Sequence, residues 1–178
     1  MKLLEDYQPA NEFQSAEKNK ILSFCQEHPD ALYRSCLLGH LTASAVVTDP
    51  ARERFLLHHH AKLDLWLQFG GHCDGDGNLP HVAWREAVEE SGISDLAIDP
   101  EIVDLDVHKI PKWKDVPEHL HLDVRFLAEV PAASVPVAGD ESLAIGWYSL
   151  TDVANINTDD SVQRLVRLAA NCGGQGEL

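Results

Sequence analysis

The chain is poor in positive charge. Its 178 residues carry 14 Lys and Arg against 29 Asp and Glu, a net charge of −15 with histidine neutral. Without a sizeable basic patch it cannot neutralise a phosphate backbone or an acidic lipid surface, which argues against nucleic-acid and membrane partners. A small phosphorylated substrate remains allowed, because metal ions can supply positive charge locally. There is no CxxC pair: Cys25, Cys36, Cys73 and Cys172 are scattered and read as reduced thiols. The N-terminal MKLLEDYQPANEF has no apolar signal core, and no run approaches the length of a membrane span. Cytoplasmic residence is the expectation. No repeat or low-complexity linker interrupts the chain, and 44% hydrophobic content over this length suits one domain with a substantial core.

What is present is a succession of apolar segments with helical or alternating period. Pro9 to Glu27 reads as an amphipathic helix with Phe13, Ala16, Ile21, Phe24 and Cys25 as its buried side, and Asp30 can cap a short second helix through Tyr33. Leu38–Thr48 is a strand, turned at Asp49-Pro50 into a hairpin partner, Phe55–His58. Leu65–Phe69, Glu101–Ile110, His119–Val130 and Ile145–Leu150 are further strands, Pro111–Glu118 is an exposed loop, and Asp159–Ala170 is a C-terminal helix. Strands interrupted by helices predict an α/β fold, a mixed β-sheet between helical layers. The expected organisation is a helical extension (1–36), a core (37–171) and a frayed tail (172–178).

The densest chemistry lies between Gly70 and Ile93. Asn78 or Leu79 can start a helix, Pro80 suits its first turn, and Gly92 sits where a left-handed C-cap belongs. Ala83, Trp84, Ala87 and Val88 form its apolar stripe, while Glu86, Glu89 and Glu90 share a face. Like charges at this spacing destabilise a bare helix by about 0.2–0.5 kcal/mol per pair, and a bound cation reverses that sign. Carboxylates are hard ligands suited to Mg²⁺, Mn²⁺ or Ca²⁺. Arg85, four residues before Glu89, can hold that glutamate's rotamer. A solvated face of an acidic helix is the other reading of such a cluster.

This segment resembles the Nudix box: a glycine, five residues, a glutamate, seven residues, then Arg-Glu-apolar-x-Glu-Glu-x-Gly-apolar. Gly71 matches the first glycine, and Arg85 to Ile93 matches the second half without a gap. One position departs, since the first glutamate falls on Gly77, with Asp74 and Asp76 close by. The resemblance implies a Nudix-type α/β/α sandwich and hydrolysis of a phosphoanhydride bond in a nucleoside diphosphate linked to another group. It further implies Mg²⁺ or Mn²⁺ held by Glu86, Glu89, Glu90 and the carbonyl of Gly71, with Arg85 orienting the glutamates and Glu86, Glu90 or Glu141 taking the proton. Lys62 is placed to reach a phosphate, and a homodimer is compatible with the family. The departure at Gly77 leaves open a weakened, nucleotide-binding module.

Outside the box, His119, His121, Asp123 and Arg125 alternate along one strand, opposite Leu120, Leu122, Val124 and Phe126. That polar face is either solvated or a substrate floor, with His72 and Asp74 joining it and His119, His121 and Arg125 touching phosphate or base. Two or three of the histidines could instead bind a transition metal. His58-His59-His60 reads as an exposed hairpin end. Asp140-Glu141 precedes the last strand, and Glu141 is the candidate for completing a metal shell or activating water. Cys73 beside His72 faintly resembles the isopentenyl-diphosphate isomerases, which share the Nudix fold; a small buried thiol is the plainer reading.

Overall fold

The protein, seen in a computed structural model that describes residues 1–131, 134–139 and 141–172, is a seven-stranded mixed sheet with helices on both sides. Asp140 and the tail beyond Cys172 lie outside the described residues. In chain order the elements are α1 (Lys2–Asp6), α2 (Glu12–Glu27), β1 (Gly39–Thr48), β2 (Arg54–His60), β3 (Leu65–Leu67), β4 (Phe69–His72), α3 (Leu79–Ser91), β5 (Ala97–Ile110), β6 (His119–Glu129), β7 (Ser142–Ser149), α4 (Leu150–Val153) and α5 (Asp160–Asn171).

The sheet runs β3-β2-β1-β6-β5, with β4 also paired to β1 and β7 to β2. β1 and β6 are parallel, from Gly39 opposite Leu120 to Thr48 opposite Glu129. The two faces of β1 feed two cores. Leu41, Ala43, Ala45 and Val47 pack with Val82, Ala83 and Ala87 of α3, and Val46 packs with Leu165 and Val166 of α5.

Local chemistry explains the helix ends. Asn78 accepts the amide of His81 at the start of α3, and Gly92 ends that helix at φ 69°, in the left-handed region where a Cβ is penalised. Asn11 caps α2 by accepting the amide of Gln14, so the helix begins after Pro9 and not at it.

The burial of α2 differs from its periodicity. Phe13 and Ala16 are exposed, and the residues turned inward are Gln14, Glu17 and Ile21. The polar pair is buried because it bonds to β5: Gln14 Nε2 donates to the Val103 carbonyl (3.1 Å) and Glu17 accepts the Val107 amide (2.8 Å). Asp30–Tyr33 forms turns where a short helix was expected, and the strand expected over Leu65–Phe69 breaks at Gln68 into β3 and β4.

Candidate active site

A cleft of about 590 Å³ opens where α3, β4 and the ends of β1, β2 and β6 meet. That volume lies within the range of small-molecule sites. Its walls include Glu86, Glu89 and Glu90 of α3, Gly70, Gly71 and His72 of β4, Lys62 and Glu141, and His121 with Asp123 on β6.

The glycine pair is what lets the acidic helix approach the sheet. A methyl group on Gly71 would overlap the Glu86 carboxylate, and one on Gly70 would overlap Ser44 of β1. The Gly70 amide donates to Glu90 Oε2 at 3.2 Å. Arg85 Nη2 donates both to the His72 carbonyl (3.0 Å) and to Glu86 Oε1 (2.6 Å), so it braces Glu86, where its spacing had suggested Glu89. The His72 carbonyl draws the guanidinium toward β4 and away from the next helical turn. Burial, then the charges of Glu86, Glu141 and Glu89, push the Glu90 carboxyl up to about 8 against the opposing Gly70 amide. Converging hard oxygen donors, one of them unwilling to ionise, form a donor set that fits a divalent cation.

A family model described as the NUDIX domain matches residues 39–168. This chain belongs to the Nudix family. It is a pyrophosphohydrolase by that membership. No curated protein matches the chain significantly. Among solved structures, a Caenorhabditis elegans Ap4A hydrolase in a binary complex superposes with a TM-score of 0.57 at 20% identity, over 72% of this chain and 93% of that one. A MutT protein from Methanosarcina mazei gives 0.59 at 16% identity, over 76% and 95%. An ADP-ribose pyrophosphatase from Streptococcus suis gives 0.55 at 19%, over 78% and 93%. At these identities the likeness is one of fold, and it agrees with the α/β/α architecture described above.

The structure brings the Nudix-box residues together with Lys62, Glu141, His72 and His121. Lys62 Nζ lies 3.3 Å from Glu141 Oε1 across an exposed pair. Three other candidates sit elsewhere. Asp74 turns away to pair with Arg34, and Arg34 is the member of that pair that lines the cleft. His119 lies behind the lining, stacked on His40 with ring centres 4.9 Å apart.

Arg125 does not reach the cleft. It is 2% exposed and bonded to Asp123 (2.8 Å), with Asp106 and Asp104 at 3.3 and 3.6 Å. Arg164 and Ser161 of α5 complete this network. The polar face of β6 is therefore largely buried and not solvated, because α5 delivers partners for its charges. Asp123 in turn accepts from Thr42 (3.0 Å) and Ser44 (2.8 Å), linking the network to the cleft floor.

Two further readings change. His58 is 2% exposed and lines the cleft with His60, so the triple-histidine run is not a solvent-exposed hairpin end. Burial first, then His60, pushes the His58 imidazole down to about 4. Cys73 is 1% exposed, and burial with nearby carboxylates pushes its thiol up to about 12. The thiol is buried in the core and does not line the cleft, which weighs against the isomerase-like reading and agrees with a small buried thiol. Sequence reasoning passed over Arg34, His40, Thr42, Ser44 and His108. The pairing of β6 with β1 and with β5 and the fold of the Cys36 turn bring them to the site or beside it, and none of these has a local sequence signal.

Proposed function

We propose that the cleft hydrolyses a phosphoanhydride bond in a small nucleoside-diphosphate-linked substrate, with Mg²⁺ or Mn²⁺ held by Glu86, Glu89, Glu90 and the carbonyl of Gly71. The observation that carries this reading is the packing of the Glu86 carboxylate against a glycine that has no room for a side chain. When bound, such ions neutralise diphosphate oxygens and lower the pKa of coordinated water. Arg85 fixes Glu86 from the side of β4, so its charge serves orientation and is withheld from the substrate. Lys62 and Arg34, the two cationic side chains of the lining, meet the outer phosphate oxygens. Proton removal from water would fall to Glu86, Glu90 or Glu141, all three of which line the cleft.

Structural neighbours named as hydrolases of Ap4A and of ADP-ribose support a substrate with a nucleotide-linked phosphate chain. Glu90→Gln is expected to abolish metal-dependent phosphate release while leaving the circular dichroism and melting profile intact. Near-normal turnover in that variant would remove the assignment.

Gly77 supports a second, narrower reading, in which turnover is slow and binding dominates. A Cβ at this position meets nothing closer than Leu32 Cδ1 at 3.9 Å, so the missing glutamate is a choice of sequence and not of space. Tight nucleotide binding without phosphate release at saturating Mg²⁺, reversed in Gly77→Glu, would favour it.

A further inference from the structure

Beside the carboxylate helix lies a group of histidines that the hydrolytic reading leaves without a task. One ring nitrogen from each of His40, His119 and His121 lies within 4.8 Å of the others. These residues come from two strands: His40 opens β1, opposite His121 of β6 in the parallel register. The centres of the three rings are 4.9 to 5.2 Å apart. His72, at the mouth of the Nudix box, has its ring 4.9 Å from His40 and 5.1 Å from His121.

The hydrogen bonding of these rings is one-sided. Nδ1 of His119 faces the Pro117 carbonyl at 2.9 Å, and Nδ1 of His40 faces the Cys36 carbonyl at 3.4 Å. Each carbonyl can take only an N–H, so each favours the tautomer that leaves a lone pair on Nε2. Backbone carbonyls behind imidazoles are the usual means of orienting histidine ligands. His40 is 5% exposed, and its Nε2, like that of His121, has no hydrogen-bond partner among the described residues. A buried polar atom without a partner is uncommon and points to something absent from the polypeptide.

We propose that His40, His119 and His121 form a binding site for a borderline transition-metal cation of the Zn²⁺ class, separate from the carboxylate site and adjoining the same cleft. Imidazole nitrogen suits Zn²⁺, Co²⁺ or Ni²⁺ and suits Mg²⁺ poorly. At Zn–N distances of about 2.0–2.1 Å, tetrahedral nitrogens stand about 3.3 Å apart, so the rings need only close by rotamer adjustment. Three protein ligands leave a coordination position open. His121 and His72 both line the cleft, so the ion would bring positive charge to its floor in a chain of net charge −15. The chemistry it would offer an anionic substrate is a fixed cationic contact that neither Lys62 nor Arg34 supplies there. The proposal stands whether or not the hydrolytic reading does.

The test is a titration of the full-length, chelator-treated protein with Co²⁺ in excess Mg²⁺, which occupies the carboxylates. Visible absorption and calorimetry are the readouts. One equivalent is expected, with the intense d–d bands of a four- or five-coordinate nitrogen site and a raised melting temperature. His119→Gln and His40→Gln should each weaken binding at least about tenfold, and Glu86→Gln should leave the bands in place. His119→Gln serves as the informative variant if His40→Gln does not fold. Absence of Co²⁺ binding would assign the orphan nitrogens to ordered water and overturn the proposal. So would Co²⁺ binding that survives the histidine changes or disappears in Glu86→Gln.

Discussion

On α3 the cleft presents carboxylate oxygens, and where β1 meets β6 it adjoins imidazole nitrogens. The oxygen side carries more negative charge than burial tolerates, and Glu90 answers by holding its proton up to about 8. The nitrogen side is a group of imidazoles, and its strain is that of ring nitrogens without partners, at Nε2 of His40 and of His121. Each side lacks an electrophile, but the two deficits differ in kind. Crowded carboxylates call for a hard cation that cancels charge, whereas buried imidazoles call for a softer one that accepts electron pairs. With both proposed ions bound, one cleft would sort two metals without two pockets.

The strongest way to break this comparison is Glu86→Gln, which keeps shape and removes charge from the oxygen side alone. Mg²⁺-dependent turnover should fall by about 10²-fold or more, comparable to losing a preorganised electrostatic group. Steady-state kinetics checks it, and a loss of Co²⁺ binding in the same variant would merge the two sides into one. Gly71→Ala is subtler. The added methyl group displaces the Glu86 carboxylate without altering its charge, so turnover should drop by about 10- to 10²-fold while the melting temperature changes little. An unchanged rate would show that the contact between Gly71 and Glu86 has no bearing on catalysis.

Acid sharpens the comparison from beneath the nitrogen side. Burial opposes the charged form of Asp106, but bonds from His108, Arg164 and Ser161 and the charge of Arg125 outweigh it and hold the carboxyl well below the ordinary range. A depressed folded-state pKa means that its stabilisation is fully present above the unfolded carboxylate pKa of about 3.9 and is lost as pH falls below it. Urea midpoints should therefore decline steeply below about pH 4, with little change between pH 5 and 7 from this group. The smallest effect belongs to Cys73→Ala, for which turnover within about twofold of the parent is expected, as for a small buried thiol. A loss of activity measured there would restore a chemical role to the thiol.

The oxygen side was legible because it is local. Gly71 lies near the end of a strand, shortly before one helix that carries Arg85, Glu86, Glu89 and Glu90 and is capped by Gly92, and the spacing alone puts the carboxylates on one face. The nitrogen side was half legible. Alternation placed His119, His121, Asp123 and Arg125 on a common face, but it could not show that α5 would cover Arg125 with Ser161 and Arg164. His40 was invisible, since its place beside His121 depends on parallel pairing between strands some eighty residues apart. The same gap misled the reading of α2. Periodicity marks apolar residues as buried, yet Gln14 and Glu17 are the ones turned inward, because their partners are backbone groups of β5 that no local pattern records.

That last contact has a consequence for self-association. β5 is the outermost strand on its side of the sheet, and its free amides would otherwise offer a template for another chain. By accepting the Val107 amide, the buried carboxylate of Glu17 occupies a donor that an incoming strand would need. Gln14 takes up the Val103 carbonyl in the same way, so α2 covers part of an edge that would otherwise stand open to another strand.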